Sequence, residues 1–498
     1  MPAPGPAGTC ESAALWLGID LGTQGVRAQL VGGDGTVHGS GGAPLLRGRR
    51  DGPRHEQDPG EWWEATGAAV RSALADHPGH PLGAVCVDGT SGTLVLQDSR
   101  ARPVGPGLMY DDARATRAPA PARTEAALDD LAMHLGQPVP PTWALRKLLL
   151  LASEGRIGPG ARPAHQGDHI TGRLVGCPVP TDPTQALKTG HDPEHGWPRA
   201  HLDRIGLDPA HLPEVVSTGT PVGTVAPGAA RHTGIPAGTP VRAGTTDGVA
   251  AQIASAALAP GRWAATLGTT LVLKGSTPRR IHDPAGAVYS HRNPDGGWLP
   301  GGAANAGTRV WSHALPGHHP ADLTERARDL PVPGGATYPL TGTGERFPFV
   351  APDATGFDTG PGSGGTDPAQ RFHRLAHGLA HVERLALDRL RTLGAPAHGL
   401  VTATGGAADN TWLTQLRADV LRRPVLVPAH TGSAFGSAVL ARAPRGALAA
   451  TAEAMVRTAR RHEPDPARAD ALDEAHERFL HALAERGWIA PTRQAGRP

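Results

Sequence analysis

Glycine-containing turns at the ends of apolar segments are the features of this chain that most suggest chemistry. In GIDLGTQGVR, Asp20 ends a predicted strand and Thr23 lies in the turn that follows. A carboxylate in this position can hold a hydrated Mg2+ ion, and the turn amides with the Thr23 hydroxyl can meet a transferring phosphate. A hairpin in which Asp20 only caps its own turn is the alternative. The motif by itself leaves both interpretations open.

The chain contains at least four such turns, among them AGTTDG, TGGAADN and TGSAFG. Backbone N–H groups in a glycine turn are not screened by side chains, which suits a triphosphate. One turn is weak support, so the inference depends on the set. No lysine follows a glycine, which excludes the P-loop motif. No GxGxxG follows a predicted strand and no GxSxG occurs, so a dinucleotide-binding lobe and a hydrolase are not favoured.

A histidine series offers a competing kind of site. His373, His377 and His381 lie four residues apart on one predicted helix, a spacing that can align metal ligands. No nearby carboxylate or cysteine completes a common short-range metal motif. The chain has 25 histidines, so a partly exposed helix face is the simpler interpretation.

Length and composition limit the class of protein. A chain of 498 residues is long enough for two or three domains. The net charge of +2, without a basic stripe, makes nucleic acid an unexpected partner. Three widely spaced cysteines fit neither a disulfide framework nor a CxxC site, and this favours the reducing cytoplasm. No segment approaches a membrane span and no signal peptide is evident, so no membrane partner is expected.

Hydrophobic periodicity predicts the elements that position these turns. An antiparallel hairpin is expected over residues 15–30, and residues 262–274 repeat its pattern of strand, Gly-Thr turn and strand. Further strands and helices flank the remaining motifs. The predicted strands are 82–87, 241–243 and 400–404, and the predicted helices include 61–74, 142–154, 166–174, 371–393 and 411–423.

Taken together, the motifs resemble those of one family. GIDLGTQGVR, DGTSGT, AGTTDGVAA, LGTT, ATGGAADN and GSAFGSAVLA follow the order and spacing of the FGGY carbohydrate kinases over almost the whole chain. The longer stretches LMYDDARA, HQGDHITGRL, ALKTGHDPE, VYSHR, YPLTGTGERFPF and HVERLALDRL are most similar to the xylulokinase-like subgroup of D-ribulose kinases.

The resemblance implies an α/β fold with two actin-like (ribonuclease H-like) ATPase lobes around a central cleft. It implies an N-terminal sugar-binding lobe at residues 1–250 and a C-terminal ATP-binding lobe at residues 251–445. Residues 446–498 would form C-terminal helices that pack back on the lobes. Monomers or homodimers are expected.

The resemblance also implies roles for individual residues, with ATP and Mg2+ as cofactors. Asp247 is the expected catalytic base, and a second role as cap of the alanine-rich helix is compatible with it. Asp20, through water, is the expected Mg2+ ligand. The expected phosphate-binding and nucleotide-binding residues are Asp20, Thr23, Gly268, Thr269, Gly405, Gly406 and Asn410. The expected sugar-binding residues are Thr90, Ser91, Asp111, Asp112 and Asp247.

The expected reaction converts D-ribulose and ATP to D-ribulose 5-phosphate and ADP. D-xylulose, or another ketose or polyol such as L-ribulose, is the nearest alternative. Thr90 and Ser91 stand where typical xylulokinases have a Met-His pair, which argues against D-xylulose. A nucleotide-binding scaffold on the same fold is the alternative from a different class, and retention of both Asp20 and Asp247 argues against it.

Overall fold

The computed structural model describes residues 14–116, 122–158, 160–360, 365 and 367–491. The described residues fall into two compact units. The first unit comprises those within Met1–Ala254, Pro294–Gly296 and His430–Arg457, and the second those within Ser255–Asn293, Gly297–Ala429 and Thr458–Pro498. Cys86 and Cys177 are free thiols, whereas Cys10 lies outside the described residues.

The strands follow in chain order. Those of the first unit are β1 (Leu15–Leu21), β2 (Gly25–Gly32), β3 (Val37–Pro44), β4 (Arg49–Asp51), β5 (Arg54–Gln57), β6 (Leu82–Gly89), β7 (Leu94–Gln97), β8 (Gly107–Leu108), β9 (Arg162–His165), β10 (Pro221–Thr224) and β11 (Pro240–Thr246). Those of the second unit are β12 (Trp263–Leu267), β13 (Leu271–Gly275), β14 (Tyr289–Arg292), β15 (Trp298–Ala303), β16 (Thr337–Tyr338), β17 (Phe357–Asp358), β18 (Val401–Thr404), β19 (Val425–Pro428) and β20 (Thr458–His462).

The α-helices of the described residues are α1 (Pro59–Ala73), α2 (Ala122–Leu135), α3 (Ala144–Ser153), α4 (Gln166–Val175), α5 (Pro183–Ala186), α6 (Arg199–Ile205), α7 (Pro227–Thr233), α8 (Asp247–Ala254), α9 (Arg309–Ala314), α10 (Pro320–Ala327), α11 (Pro368–Thr392), α12 (Thr411–Leu421), α13 (Ser433–Arg442), α14 (Leu448–Met455) and α15 (Ala469–Glu485). None of them is long and apolar enough to cross a bilayer.

The main sheet of the first unit has the strand order β10-β11-β6-β1-β2-β3. Strands β1 and β2 form the predicted antiparallel hairpin, while β6 runs parallel to both β1 and β11. Because β1 and β6 are central, almost every residue in them is buried, as is usual for parallel strands covered on both faces. The three parallel strands therefore end at one edge of the sheet.

Helix α13 packs on this sheet so closely that its contacts require glycine. A Cβ on Gly18 of β1 would lie 1.9 Å from the Ala434 carbonyl oxygen, and one on Gly436 would lie 1.9 Å from that of Ala250. This packing places α13 with the first unit. The sequence-based division instead ended the second lobe at residue 445, and its assignment of sugar and ATP binding to the lobes stays a prediction.

The main sheet of the second unit has the strand order β14-β15-β13-β12-β18-β19-β20. Strand β12 pairs antiparallel with β13 and parallel with β18, as β1 pairs with β2 and β6. The predicted repeat of the N-terminal hairpin at residues 262–274 is thus present in the structure. Helix α11 covers the unit's core with buried residues along most of its length, because α10, α12 and α15 pack around it.

The interpretation of the histidine series as a partly exposed helix face is wrong. His373, His377 and His381 are all buried on α11, and both ring nitrogens of His377 have no hydrogen-bond partner among the residues that the structure describes. His476 of α15 lies against them, with its Nδ1 atom 3.2 Å from Nδ1 of His381. Burial lowers the pKa of His377 and His381 well below the usual value, so these rings are neutral core residues.

Candidate functional site

Three aspartates lie at the edge where the parallel strands of the first unit end. Asp20 of β1 pairs in register with Asp88 of β6, and Asp247 opens α8 directly after β11. Since β6 lies between β1 and β11, Asp88 stands between the other two. Asp20 and Asp247, which were predicted to act together, thus occupy one edge of one sheet.

Asp88 is a residue that sequence analysis did not single out. Its side chain is fully buried, and the Ser437 hydroxyl donates to Asp88 Oδ2 over 2.6 Å. Burial raises the pKa of Asp88 well above its usual value, and the neighbouring carboxylate of Asp20 raises it further. Its sequence position carried a clue, because Val87-Asp88 ends an apolar strand just as Ile19-Asp20 does.

Asp20 is held at the base of the β1–β2 turn. Its carboxylate is almost buried and lies 3.3 Å from Nη1 of Arg27, the residue opposite it in the hairpin. The Gly22 amide donates to the Gly25 carbonyl over 3.1 Å, and Gln57 Nε2 donates to the Thr23 carbonyl over 2.9 Å. These bonds fix the shape of the turn that carries Thr23.

The sheet edge that carries Asp20, Asp88 and Asp247, here called the acidic edge, suits a hydrated divalent cation. Carboxylate oxygens are the ligands that Mg2+ favours, and it commonly keeps several waters while it binds one or two carboxylates. Asp20 and Asp88 place two carboxyl groups side by side, with Arg27 as the cation beside Asp20. Among the described residues no group of three or more His, Cys, Asp or Glu side chains is arranged to hold a bare metal ion. A pair of carboxyl groups is a donor set that suits an ion which keeps most of its waters.

Asp247 is fixed by the start of its helix. The Gly248 amide donates to Asp247 Oδ1 over 2.7 Å, and the Ser433 hydroxyl donates to the Asp247 carbonyl over 3.1 Å. The side chain is only half-buried. A carboxylate held in this way can accept a proton from a hydroxyl group placed next to it.

The turn after β6 carries Thr90 and Ser91, whose hydroxyl groups differ in their hydrogen bonding. The Thr90 hydroxyl lies 2.7 Å from Gln166 Oε1 and 2.5 Å from the Thr93 hydroxyl, so protein groups satisfy it. The Ser91 hydroxyl is buried without a hydrogen-bond partner among the described residues. Of the two, Ser91 is the one with hydrogen-bonding capacity left for a ligand.

Two lysines hold this same turn. Lys147 Nζ donates to the carbonyl oxygens of Gly92 at 2.9 Å and Met109 at 2.5 Å, and Lys188 Nζ donates to that of Ser91 at 2.9 Å. Burial lowers the pKa of Lys147 to about 7 and also lowers the pKa of Lys188. No role was predicted for Lys188 from the sequence.

Asp111 and Asp112 have different surroundings. Asp112 is fully buried, accepts from the backbone amide and the guanidinium of Arg114 and from the His55 amide, and so serves the local structure. The Asp111 side chain is 30% exposed, at 2.5 Å from His55 Nδ1 and 2.7 Å from Arg50 Nη2. Although burial acts to raise the pKa of Asp111, its bonds to His55 and Arg50 lower it overall.

In the second unit, four of the predicted nucleotide-binding residues line one cavity of about 840 Å3. They are Gly268, Thr269, Gly406 and Asn410. Gly405 adopts φ +82°, and a Cβ there would lie 2.7 Å from the Leu267 carbonyl oxygen, so this turn requires glycine. The Asn410 side chain accepts from the Leu413 amide over 3.0 Å and donates to Thr324 over 2.7 Å. Asn410 therefore shapes the cavity as the cap of α12.

The cavity has an aromatic wall and cationic side chains. Trp311 and Trp412 both line it, with Phe372 packed against each at ring-centroid distances of 5.2 and 6.0 Å. Arg309 and Arg328 also reach it. An apolar wall beside glycine turns and guanidinium groups suits a planar base with attached phosphates. Trp311 was not among the predicted nucleotide-binding residues.

Comparison with known proteins identifies the family. The N-terminal domain of the FGGY family of carbohydrate kinases matches residues 15–254, and its C-terminal domain matches residues 263–443. The chain is 31% identical over 431 residues to the xylulose kinase of Streptomyces coelicolor, covering 83% of this chain and 84% of that one. It is 24% identical over 457 residues to the gluconokinase of Bacillus subtilis, covering 85% and 86%.

A solved structure supports the fold. The xylulose kinase from Rhodospirillum rubrum superposes with a TM-score of 0.80 at 24% identity, over 95% of this chain and 99% of that one. The predicted α/β fold of the actin-like ATPase class is confirmed. The resemblance noted from the motifs is confirmed as well, and the chain belongs to the FGGY family of carbohydrate kinases.

Proposed function

We propose that this kinase transfers the γ-phosphoryl group of ATP to the terminal hydroxyl of a ketopentose, with D-xylulose as the first candidate substrate. The observation that carries the proposal is the acidic edge, where Asp20 and Asp88 lie at the ends of the neighbouring parallel strands β1 and β6 and Asp247 directly follows β11. The similarity to xylulose kinases supports D-xylulose over D-ribulose, the substrate expected from the sequence.

In the proposed reaction Asp247 accepts the proton of the sugar hydroxyl. The hydroxyl oxygen then forms its bond to the γ-phosphorus, while the bond from that phosphorus to the bridging oxygen breaks and ADP leaves with the electron pair. The transition state of such transfers is loose, so proton removal comes late and catalysis depends mainly on positioning and charge. A half-buried carboxylate anchored by the Gly248 amide meets these requirements.

Asp20 would hold Mg2+ through water, and the bound metal would offset the negative charge of the phosphates. Arg27 keeps the Asp20 carboxylate in place across the hairpin. Asp88, fixed by Ser437, lines the same edge from the adjacent strand. The turn that carries Thr23 lies beside these groups, where its amides can contact the transferred phosphoryl group.

ATP is proposed to bind through the cavity of the second unit. Gly268 and Thr269 would face its phosphates, while Gly405, Gly406 and Asn410 would bound the adenosine. The support is the shared cavity with its aromatic wall and glycine turns. The sugar is proposed to bind in the first unit, beside Asp247, Ser91 and Asp111.

D-ribulose remains the second candidate because of one local feature. Thr90 and Ser91 occupy the turn after β6, and the buried Ser91 hydroxyl is without a partner in the described part of the chain. A short hydroxyl side chain offers a different hydrogen bond from the Met-His pair expected of a D-xylulose enzyme. D-ribulose and D-xylulose differ by inversion at one sugar carbon, and this difference is enough to decide which of them forms the hydrogen bond to Ser91.

The proposal is tested by measuring ADP release with ATP, Mg2+ and a panel of D-xylulose, D-ribulose, L-ribulose, gluconate and glycerol. We expect one ketopentose to stimulate release most strongly. A panel without any stimulation, together with measurable ATP binding, would instead favour a nucleotide-binding scaffold. Preference for gluconate would retain the kinase but reject a ketopentose as its substrate.

A further inference from the structure

We propose that Lys188 is a sugar-contacting residue, whose ammonium donates to the substrate oxygen next to the hydroxyl that Asp247 deprotonates. This inference rests on the proposed function, and it names the group that selects the substrate. It follows from where the lysine is anchored, from the charge beside it and from the hydrogen-bond donors it retains.

The side chain of Lys188 is anchored along the turn after β6. The residue lies in a short 3-10 turn, Leu187–Thr189, directly after α5. Its Nζ atom donates to the Ser91 carbonyl over 2.9 Å. Gly92 has φ +92°, and a Cβ there would lie 3.0 Å from Lys188 Cδ. The aliphatic stem therefore lies over the turn, and the ammonium position is set at its end.

The segment that carries Lys188 packs against the strand end that carries the proposed base. Gln185, three residues before Lys188, donates from Nε2 to the carbonyl oxygen of Thr245, two residues before Asp247, over 3.1 Å. Burial lowers the pKa of Lys188, and the negative charge of Asp247 opposes that shift. An ammonium has three N–H donors. Among the described residues, the Ser91 carbonyl is the only acceptor that Lys188 reaches. Two donors thus remain for a substrate oxygen, and the reacting hydroxyl is proposed to sit beside Asp247 at the same strand end.

Lys147 shows what a purely structural lysine looks like at this turn. It is completely buried and donates to two backbone carbonyls, those of Gly92 and Met109. Lys188 holds the adjacent carbonyl with one bond and is only half-buried. The buried Ser91 hydroxyl, which has no partner in the described structure, lies on the same residue that anchors Lys188. The Ser91 hydroxyl and two N–H donors of Lys188 are therefore left to bond a ligand at this turn.

A charged donor in this position selects for an oxygen on the substrate. A hydrogen bond to a charged group that is lost without replacement lowers affinity by about 10- to 100-fold. A site built around such a donor also rejects an analogue that lacks the matching oxygen. The wild-type enzyme should therefore discriminate against a ketopentose in which hydrogen replaces the hydroxyl next to the reacting one.

The test compares Lys188→Met, which keeps most of the length of the side chain and removes its charge, with Lys188→Arg, which keeps the charge. Each protein is assayed with the accepted ketopentose and with its deoxy analogue. Wild type is expected to lose about 10- to 100-fold in kcat/KM with the analogue. Lys188→Met is expected to lose as much with the natural ketopentose and to treat both substrates alike. Lys188→Arg should restore part of the discrimination, and the KM for ATP should stay unchanged.

Lys147→Met is the matched control, because it loosens the same turn without facing the sugar. It is expected to lower the melting temperature and to reduce kcat/KM for both substrates by one factor, so that discrimination persists. If this control does not fold, the two Lys188 variants still decide. A Lys188→Met protein that discriminates as wild type does overturns the assignment and leaves the proposed function intact. A wild type that phosphorylates no ketose or polyol overturns the proposed function, and the assignment with it.

Discussion

The two units share a strand pattern, but the side chains at the ends of the paired strands differ in chemistry. In the first unit the paired strand ends are Asp20 and Asp88, whereas in the second unit they are Thr266 and Thr404. The two threonine hydroxyls lie 2.7 Å apart and satisfy each other. A pair of carboxyl groups thus corresponds to a pair of neutral hydroxyls at the matching place in the other sheet.

This difference is consistent with a division of labour in the proposed reaction. Carboxylates can take a proton and hold a hydrated cation, but they repel phosphates. Hydroxyls and glycine turns add no negative charge beside a polyphosphate. The acidic edge therefore suits the acceptor sugar and the metal, and the neutral edge suits the body of ATP. Substitutions that remove a charge from the acidic edge, or add one to the neutral edge, test this division.

The largest effect is expected at Asp247. Asp247→Asn keeps the shape of the side chain and removes the proton acceptor, so kcat should fall by about two to four orders of magnitude. ATP affinity, measured by calorimetry, should be unchanged, since the proposed nucleotide site is in the other unit. Near-normal turnover would remove Asp247 from the mechanism. A loss of ATP binding would contradict the division between the edges.

A smaller effect is expected at Asp20. Asp20→Asn keeps the hydrogen-bonding shape but weakens attraction for the cation, so activity at limiting Mg2+ should fall by about 10- to 100-fold. Raising the Mg2+ concentration should recover part of the loss. The matched variant Thr266→Asn, at the corresponding place in the second unit, should leave the Mg2+ dependence as it is. Equal Mg2+ dependence in wild type and Asp20→Asn would reject the metal role.

Moving a carboxylate to the neutral edge should weaken nucleotide binding. Thr269→Asp places a negative charge on an exposed residue that lines the cavity, and the KM for ATP should rise about tenfold through repulsion of the phosphates. The KM for the sugar should not change. Thr269→Asn is the uncharged control. If Thr269→Asp and Thr269→Asn behave alike, the phosphates do not lie at this turn.

The units also differ in the buried groups that respond to pH. His377 is buried in the second unit beside His373, His381 and Arg468, and its pKa is lowered well below the usual value, chiefly by burial. A depressed histidine pKa means that the unfolded chain takes up protons first. Stability is therefore lost as pH falls below about 6.5, at about 1.4 kcal/mol for each pH unit and each such histidine.

His377→Leu should reduce this loss, because leucine cannot bind a proton and fits an apolar site. Urea unfolding of wild type and of His377→Leu at pH 7 and at pH 5 gives the free energy of unfolding of each protein at each pH. The fall in this free energy from pH 7 to pH 5 is then compared between the two proteins. The buried Asp182 of the first unit has its pKa raised to about 6 by burial, and its effect has the opposite sign. Its cost to folding grows as pH rises from about 4 towards 6. An unchanged pH response in His377→Leu would show that this ring is protonated or hydrated in the native protein.

Much of this architecture could be predicted from the sequence, since periodicity is a local property. The hairpin at residues 15–30 and the long helix near 371–393 were predicted within a few residues of β1, β2 and α11. The repeated hairpin at residues 262–274 was predicted for the same reason. Helix α13 was not assigned to the first unit, because its packing depends on contacts of Gly18 and Gly436 with distant backbone.

The site was only partly predictable. Motifs led to Asp20 and Asp247, but the place of Asp88 between them depends on the strand order of the sheet. Lys188 was noted in a family-like stretch, yet its anchor on Ser91 lies 97 residues away in sequence. Neither the burial of the histidine series nor the satisfied hydroxyl of Thr90 could be inferred from spacing, since both depend on residues from other elements.

The most direct test of the proposed reaction follows phosphate and sugar together. Wild type and Asp247→Asn would be incubated with ATP, Mg2+ and the preferred ketopentose, and the products would be quantified by 31P NMR and mass spectrometry. We expect equal amounts of ADP and a ketopentose phosphate, esterified at the terminal carbon, from wild type and almost none from Asp247→Asn. ADP accompanied by inorganic phosphate without a sugar ester, or full product from Asp247→Asn, would contradict the proposed reaction.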